Sequence, residues 1–153
     1  MNNNDILRQL RYALDLSNDE MMNVFSLSGL KVELSTLIYW LKSSDDEKQQ
    51  VCEDDMMMGF LDGLILLKRG PNPNQKSSHN DSSITNNIIL KKIRIALELR
   101  EEEMIAIMKL ADFTLSKYEL SALFRRADHK NYRPCGNQFL RNFLRGLAIH
   151  YRQ

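Results

Sequence analysis

Few side chains in this sequence are suited to chemistry, and their spacing does not assemble a recognisable reaction centre. His129 and Cys135 stand six residues apart, a single pair that is weak evidence for a zinc site or a thiol–imidazole couple. His79 and His150 have no second histidine or cysteine at metal-ligand spacing. The sequence patterns of phosphate-binding loops, nucleophile elbows and His-Glu-x-x-His helices do not occur. We therefore predict no catalytic, cofactor-binding or metal-binding residues and no enzymatic activity.

The strongest functional signal is a basic segment in the second half of the chain. Residues 125–145 contain six arginine or lysine residues against one aspartate, a net charge of +5. Arginine forks match carboxylate and phosphate oxygens, and a tyrosine can stack on a base or cover a partner surface. The candidate patch for an anionic partner consists of Arg125, Arg126, His129, Lys130, Tyr132, Arg133, Arg141 and Arg145. The alternative is structural: these side chains would pair with the acidic first half or keep a helix soluble.

Charge is divided unevenly between the halves. Residues 1–75 carry 7 Lys or Arg against 12 Asp or Glu, a net charge of −5, whereas residues 76–153 carry 14 against 8, a net charge of +6. This division is typical of a basic surface for an anionic partner, and equally of two halves or two chains that attract each other. Two functions stay open: a helical module that binds a protein partner or a second copy of itself, and a binder of nucleic acid or another polyanion. A contiguous basic face favours the second function, and basic residues that face the acidic half favour the first.

An internal duplication determines where these residues are placed. Shifting residues 3–69 by 83 positions superposes them on residues 86–152 without a gap. The shift replaces the acidic segment 45–50 by the basic segment 128–133. Positions that match serve the fold, because both copies must fold, whereas positions that differ are where a specific function could lie.

Two kinds of matched residue carry structural predictions. A glycine inside a helix costs about 1 kcal/mol relative to alanine, so Gly63 and its match Gly146 predict the close approach of another helix. Cys52 and its match Cys135 are interpreted as small buried hydrophobic residues. The functional alternative applies to Cys135 alone, whose thiolate could be stabilised by Arg133 and a helix N-terminus.

Apolar residues recur at helical spacing throughout both copies. Paired asparagines at 3–4 and 86–87 are predicted N-caps of the first helices, and residues 17–20 resemble a capping box that opens the second helix. No segment shows the alternation expected of a strand. The later helices are predicted over residues 33–42 and 54–69 of the first copy and residues 116–126 and 137–152 of the second. The chain is therefore predicted to be all-α, with about four helices in each copy.

The segment between the copies predicts the domain organisation. Residues 71–84 include two prolines and four serines and are predicted to form a flexible linker between a first repeat, 1–70, and a second repeat, 85–153. Units of about 70 residues are marginally stable alone. We therefore predict one compact body with pseudo-two-fold symmetry, in which the fragment 1–70 folds poorly by itself.

Three stretches of sequence resemble a known family. They are Asn-Asn-Asp-Ile-Leu-Arg at 3–8, Asn-Asn-Ile-Ile-Leu-Lys at 86–91, and the longer stretch 128–147. Together they resemble the YehS-like bacterial family, a domain of unknown function that occurs as a tandem pair. The resemblance implies a bacterial cytosolic protein and provides no functional residues to transfer.

Composition limits the location of the protein. No apolar run reaches the roughly 18 residues that a membrane span requires. The N-terminal residues lack the basic and apolar regions of a secretory signal. Two cysteines without a secretion signal favour reduced thiols in a cytoplasmic protein. We predict a cytoplasmic location and no membrane partner.

Overall fold

The computed structural model describes residues 1–71 and 84–153, which form eight α-helices and no strand. The helices are α1 Asn3–Leu14, α2 Asn18–Leu27, α3 Leu34–Leu41, α4 Asp54–Arg69, α5 Asn86–Leu97, α6 Glu101–Leu110, α7 Lys117–Leu123 and α8 Asn137–Arg152. Each repeat contains four helices in the same order, which confirms the all-α prediction. The predicted linker, apart from its first and last residues, lies outside the described residues, as does His79.

Helix starts follow local capping signals. Ser17 and Glu20 form the predicted capping box of α2. The paired asparagines, however, are not N-caps. Asn2 and Thr85 cap α1 and α5 instead, through side chains that accept hydrogen bonds from backbone N–H groups three residues later. The prediction was wrong because the polar residue one position earlier takes the capping role, which leaves the paired asparagines inside the first turn for other contacts.

Helix α7 is shorter than predicted. It begins after Ser116, whose hydroxyl accepts a hydrogen bond from the N–H of Glu119, and it ends at Leu123. There the N–H of Phe124 bonds to the carbonyl of Ser121, three residues back, at 3.1 Å. Such a tightened turn ends an α-helix and lets the chain leave its axis.

The repeats pack through their first and last helices. Helix α1 packs on α8 and α4 packs on α5, while α2 packs on α4 and α6 on α8 within the repeats. Because the 83-residue shift converts α1 into α5 and α4 into α8, the α1/α8 and α4/α5 contacts are equivalent. One apolar cluster spans both repeats and includes Leu10, Phe60, Ile93 and Phe143. The predicted compact body with pseudo-two-fold symmetry is confirmed.

One glycine in each repeat permits the close packing of two helices. A Cβ atom on Gly63 would lie 1.9 Å from the carbonyl oxygen of Val24 in α2. A Cβ atom on Gly146 would lie 2.1 Å from the carbonyl oxygen of Ile107 in α6. Both distances are far below van der Waals contact, so only glycine fits. The prediction of close helix approach is confirmed in both repeats.

Two ion pairs between the repeats obey the pseudo-symmetry. Arg69 Nη1 lies 3.1 Å from Glu98 Oε1, and Arg152 Nη1 lies 3.6 Å from Asp15 Oδ1. The 83-residue shift converts each pair into the other. Asp15 and Glu98 cap the C-termini of α1 and α5 in the left-handed conformation, with φ of 53° and 54°. Each of the two interfaces between the repeats is therefore held at one end by an equivalent ion pair.

A third ion pair breaks the symmetry. Asp62 on α4 pairs with the buried Lys92 on α5, whose side chain is 10% exposed. The matched positions in the α1/α8 interface hold Arg145 and Gln9. The two interfaces therefore share a backbone arrangement but differ in the polar chemistry between the helices.

The length and hydropathy of the helices bear on the predicted absence of a membrane partner. Within residues 1–71 and 84–153, none of the helices has both the length and the apolar character needed to cross a bilayer.

Candidate anionic-partner surface

The loop that carries most of the candidate residues is held by a buried asparagine. Asn87, 9% exposed, donates from Nδ2 to the carbonyl oxygens of Leu123 and Arg133, both at 2.9 Å. Its Oδ1 accepts a hydrogen bond from the N–H of Cys135 at 2.8 Å. One side chain therefore ties α5 to the end of α7 and to the segment before α8. We call this arrangement the asparagine clamp.

The first repeat contains the same clamp. Asn4, 2% exposed, donates to the carbonyl oxygens of Trp40 at 3.0 Å and Gln50 at 2.7 Å, and accepts from the N–H of Cys52 at 3.0 Å. All three partners shift by 83 positions onto those of the second repeat. A buried amide with three hydrogen bonds fixes backbone geometry, since each unmade bond would cost free energy. The two loops therefore have their backbones held at matching points, whatever their side chains.

Side chains of the first repeat occupy the space beneath its loop. The carbonyl oxygen of Lys42 accepts hydrogen bonds from Arg8 Nη1 at 2.6 Å and from Gln49 Nε2 at 2.7 Å. Arg8 also forms an ion pair with Asp5 one turn earlier on α1. The first repeat therefore satisfies this carbonyl with its own guanidinium and amide groups.

In the part of the chain that the structure describes, the second repeat makes neither of those hydrogen bonds. Lys91, Tyr132 and Ile88 replace the arginine, the glutamine and the aspartate, and within the described residues no donor bonds to the matched carbonyl of Arg125. A groove of about 480 Å³ lies here, and we call it the loop groove. It is lined by the apolar or aromatic residues Ile88, Leu123, Phe124 and Tyr132 and by the cations Lys91, Arg125 and Arg126.

The arginines of the loop have only weak internal partners. Arg125 donates to the carbonyl of Asn131 at 3.1 Å and lies over the ring of Tyr118 at 5.4 Å. Arg126 pairs with Asp128 at 3.1 Å, but the two side chains are 86% and 72% exposed. Ion pairs this exposed contribute little free energy and exchange readily for another anion. The guanidinium group of Arg126 is therefore accessible to a partner.

Arg141 and Arg145 lie in a second depression. It has a volume of about 410 Å³ between α1 and α8, and its other lining residues include Arg8, Tyr12 and Leu144. Arg145 donates to the carbonyl of Ala111 at 2.6 Å. The structure therefore places six candidates on or beside the loop and two on α8. Five of the eight line the two depressions, whereas His129, Lys130 and Arg133 do not. Together these eight residues are called the basic surface below.

Within the described residues, the basic surface forms no ion pair with the acidic repeat, although Arg141 and Arg145 line a depression beside α1. Six of its residues are exposed, and Arg125 and Tyr132 are half-buried. Among the described residues, the ion pairs between repeats use Arg69, Lys92 and Arg152, and none uses a residue of the basic surface. The alternative in which these arginines neutralise the first repeat therefore has no support in the described part of the chain.

The cysteines are structural residues. Cys52 and Cys135 are free and buried, which confirms the interpretation as small hydrophobic residues. The pKa of both thiols is raised to about 12, by burial at Cys135 and by burial together with the carboxylates of Asp55, Glu53 and Asp54 at Cys52. The hypothesis that Arg133 and a helix N-terminus stabilise a Cys135 thiolate is wrong, because desolvation dominates at this position. Both thiols are protonated at neutral pH.

No metal centre is assembled in the described ranges. Residues 1–71 and 84–153 contain no group of three or more His, Cys, Asp or Glu side chains that could hold a metal ion. His129 Nδ1 accepts a hydrogen bond from the N–H of Asn131 at 3.0 Å, so it shapes the loop.

Sequence reasoning missed two parts of this surface. The asparagine clamp was mistaken for capping, although the presence of Asn4 and Asn87 in both copies was the available signal. Lys91 was not recognised as a groove residue. Lys91 replaces Arg8, and Tyr132 replaces Gln49. These two replacements point to the groove only if it is known that Arg8 and Gln49 meet at one carbonyl.

Comparisons with known proteins agree with this architecture. A family model described as a protein of unknown function, DUF1456, matches the chain twice, at residues 3–70 and 86–153. An uncharacterised Escherichia coli (strain K12) protein, YehS, is 41% identical over 148 residues, covering 97% of this chain and 95% of that protein. No solved structure matches the chain significantly. The two matched segments coincide with the two structural repeats, and the resemblance predicted from the sequence is confirmed.

Proposed function

The chain belongs to the DUF1456 family, and we propose that it is a non-catalytic cytoplasmic module that binds an acidic segment of a partner protein through its basic surface. One observation carries the proposal. The cations of this surface, apart from the half-buried Arg125, are exposed, and in the described residues they have no ion pair with the acidic repeat. Interspersed arginines and a tyrosine are the residue types enriched at protein interfaces.

A non-catalytic role is supported by the state of the reactive side chains. The two thiols are buried and protonated, and the exposed His129 serves the loop backbone. The cytoplasmic location is supported by the same thiols, which stay unpaired in a reducing compartment.

Charge reversal tests the proposal. The variant Lys130→Glu/Arg133→Glu/Arg141→Glu is expected to lose a partner that the unaltered protein retains by affinity capture, because each change replaces attraction by repulsion. The control variant, Lys31→Glu/Lys48→Glu/Lys68→Glu, reverses the same number of exposed charges in the first repeat. Thermal melting of both variants shows whether the fold survives. Loss of stability in the basic-surface variant with unchanged capture would contradict the proposal and assign these residues a structural role.

The second candidate function is binding of nucleic acid or another polyanion. It is favoured by Tyr132, which lies among arginines where a base could stack. Capture from lysate with and without nuclease separates the two functions, since a protein partner survives nuclease treatment. The remaining possibility is self-association, in which the acidic repeat of a second copy binds the basic surface. Sedimentation of the purified chain at rising salt tests it, because salt screens such an attraction.

A further inference from the structure

We infer that the loop groove receives an extended acidic peptide segment. In this arrangement a backbone N–H of the segment donates to the carbonyl of Arg125, a carboxylate pairs with Lys91 and Arg126, and an aliphatic side chain lies against the apolar wall. The inference rests on the proposed function and names the contacts of its central site.

The first argument is that the first repeat shows what the groove is missing. There, two N–H donors from Arg8 and Gln49 converge on the carbonyl of Lys42, at 2.6 and 2.7 Å. In the second repeat Lys91 and Tyr132 stand at the matched positions, and within the described residues neither donates to the matched carbonyl of Arg125. A peptide N–H supplies the donor chemistry that the internal side chains supply in the first repeat.

The second argument is that the groove is preorganised. Asn87 fixes the backbone on both sides of the loop through its bonds to Leu123 and Arg133. The N–H of Tyr132 donates to the carbonyl of His129 at 3.0 Å, and in the first repeat the N–H of Gln49 donates to the matched carbonyl of Asp46 at 3.1 Å. A ligand therefore does not have to order this loop, which removes one of the usual costs of binding.

The third argument concerns the chemistry of the walls. Ile88 and Leu123 present branched aliphatic surface, which suits an aliphatic side chain. The ring of Phe124 is already covered by the guanidinium of Arg94, 4.6 Å from its centroid. Tyr132 is then the aromatic residue left to stack on a ligand, and one ring flanked by aliphatic walls suits a peptide better than a base. The cations Lys91 and Arg126 require that the peptide be acidic.

A substitution that preserves charge tests the site. The variant Lys91→Arg/Tyr132→Gln introduces the arginine and glutamine of the first repeat. The two new side chains are expected to donate hydrogen bonds to the carbonyl of Arg125 and so to compete with the peptide. The matched control, Gln49→Tyr, makes the reverse of the Tyr132 change in the first repeat and alters no residue that lines either depression. The probe is a fluorescein-labelled peptide of alternating glutamate and leucine, compared with its glutamine–leucine counterpart and with oligothymidine.

The expected result is saturable binding of the glutamate peptide that weakens about tenfold or more in Lys91→Arg/Tyr132→Gln, the size of one or two lost hydrogen-bonded contacts. The control should bind like the unaltered protein, and melting curves should show all three folded. Equal affinity in Lys91→Arg/Tyr132→Gln, or tighter binding of oligothymidine than of the peptide, would overturn the inference. If the charge-reversal variant still loses binding in that case, the proposed function survives without the groove. If charge reversal has no effect either, both fail.

Discussion

The two repeats have the same backbone scaffold but differ in the side chains that fill one loop. Both have an asparagine that holds the segment before the last helix, and both have a glycine where two helices meet. Under that common scaffold the first repeat fills the loop with its own arginine and glutamine, whereas the second leaves a cationic groove. The comparison separates residues that both copies need to fold from residues that differ, where we propose the binding site.

Separating the repeats should produce the largest effect. The fragments 1–70 and 85–153 are each expected to lose cooperative thermal unfolding, because the apolar cluster spans both repeats and each fragment exposes half of two helix interfaces. Circular dichroism melting of each fragment checks this prediction, with the full chain as reference. A sharp transition in either fragment would show that a repeat has a sufficient core of its own.

The glycine contacts should be equally critical in both repeats. Gly63→Ala and Gly146→Ala are each expected to destabilise the protein by about 3 kcal/mol, the upper range for overpacking, because the new methyl group meets a backbone carbonyl. Urea denaturation measures the loss. Gly136→Ala is the control, since a Cβ there meets no atom within 4 Å. A large difference between Gly63→Ala and Gly146→Ala would break the equivalence of the repeats.

The asparagine clamps should stabilise both repeats similarly but affect binding differently. Asn4→Ala and Asn87→Ala are each expected to cost about 2 kcal/mol, because three backbone groups lose their partner in a buried place. Urea denaturation gives the stability, and the capture assay gives the binding at a temperature where both variants are folded. We expect only Asn87→Ala to weaken partner binding. Equal loss in both variants would place the binding site outside the second loop.

The cysteines should produce a smaller effect that is confined to alkaline pH. Because folding raises their pKa from 9.0 to about 12, the thiols stay neutral in the folded state while unfolded thiols ionise. Their stabilisation is fully present below about pH 9 and is lost as pH rises towards 12, by about 1 kcal/mol per thiol near pH 10. Unfolding free energy against pH should therefore fall less steeply in Cys52→Ala/Cys135→Ala. Parallel curves would contradict the assigned burial.

The sequence was sufficient for the architecture because its signals are local or duplicated. The capping box at Ser17 is a local signal of the first copy, whereas helical periodicity and the matched Gly63 and Gly146 report constraints that both copies must satisfy. The role of Asn4 and Asn87 was not predictable in this way. Asparagine is a common N-cap, and the carbonyls that these side chains bind lie 36 and 46 residues further along the chain. The loop groove was hidden for the same reason, since it depends on which side chains converge on one carbonyl.

The buried Asp62–Lys92 pair has a consequence for which repeats can associate. If two first repeats met in the same geometry, Asp62 would face Gln9 at both interfaces. Two second repeats would bring Lys92 against Arg145 twice, a repulsion between like charges in a partly buried contact. Only the mixed combination opposes Lys92 with a carboxylate. The chain therefore behaves as a covalently joined heterodimer, and any exchange of halves between two molecules would restore first-with-second pairing.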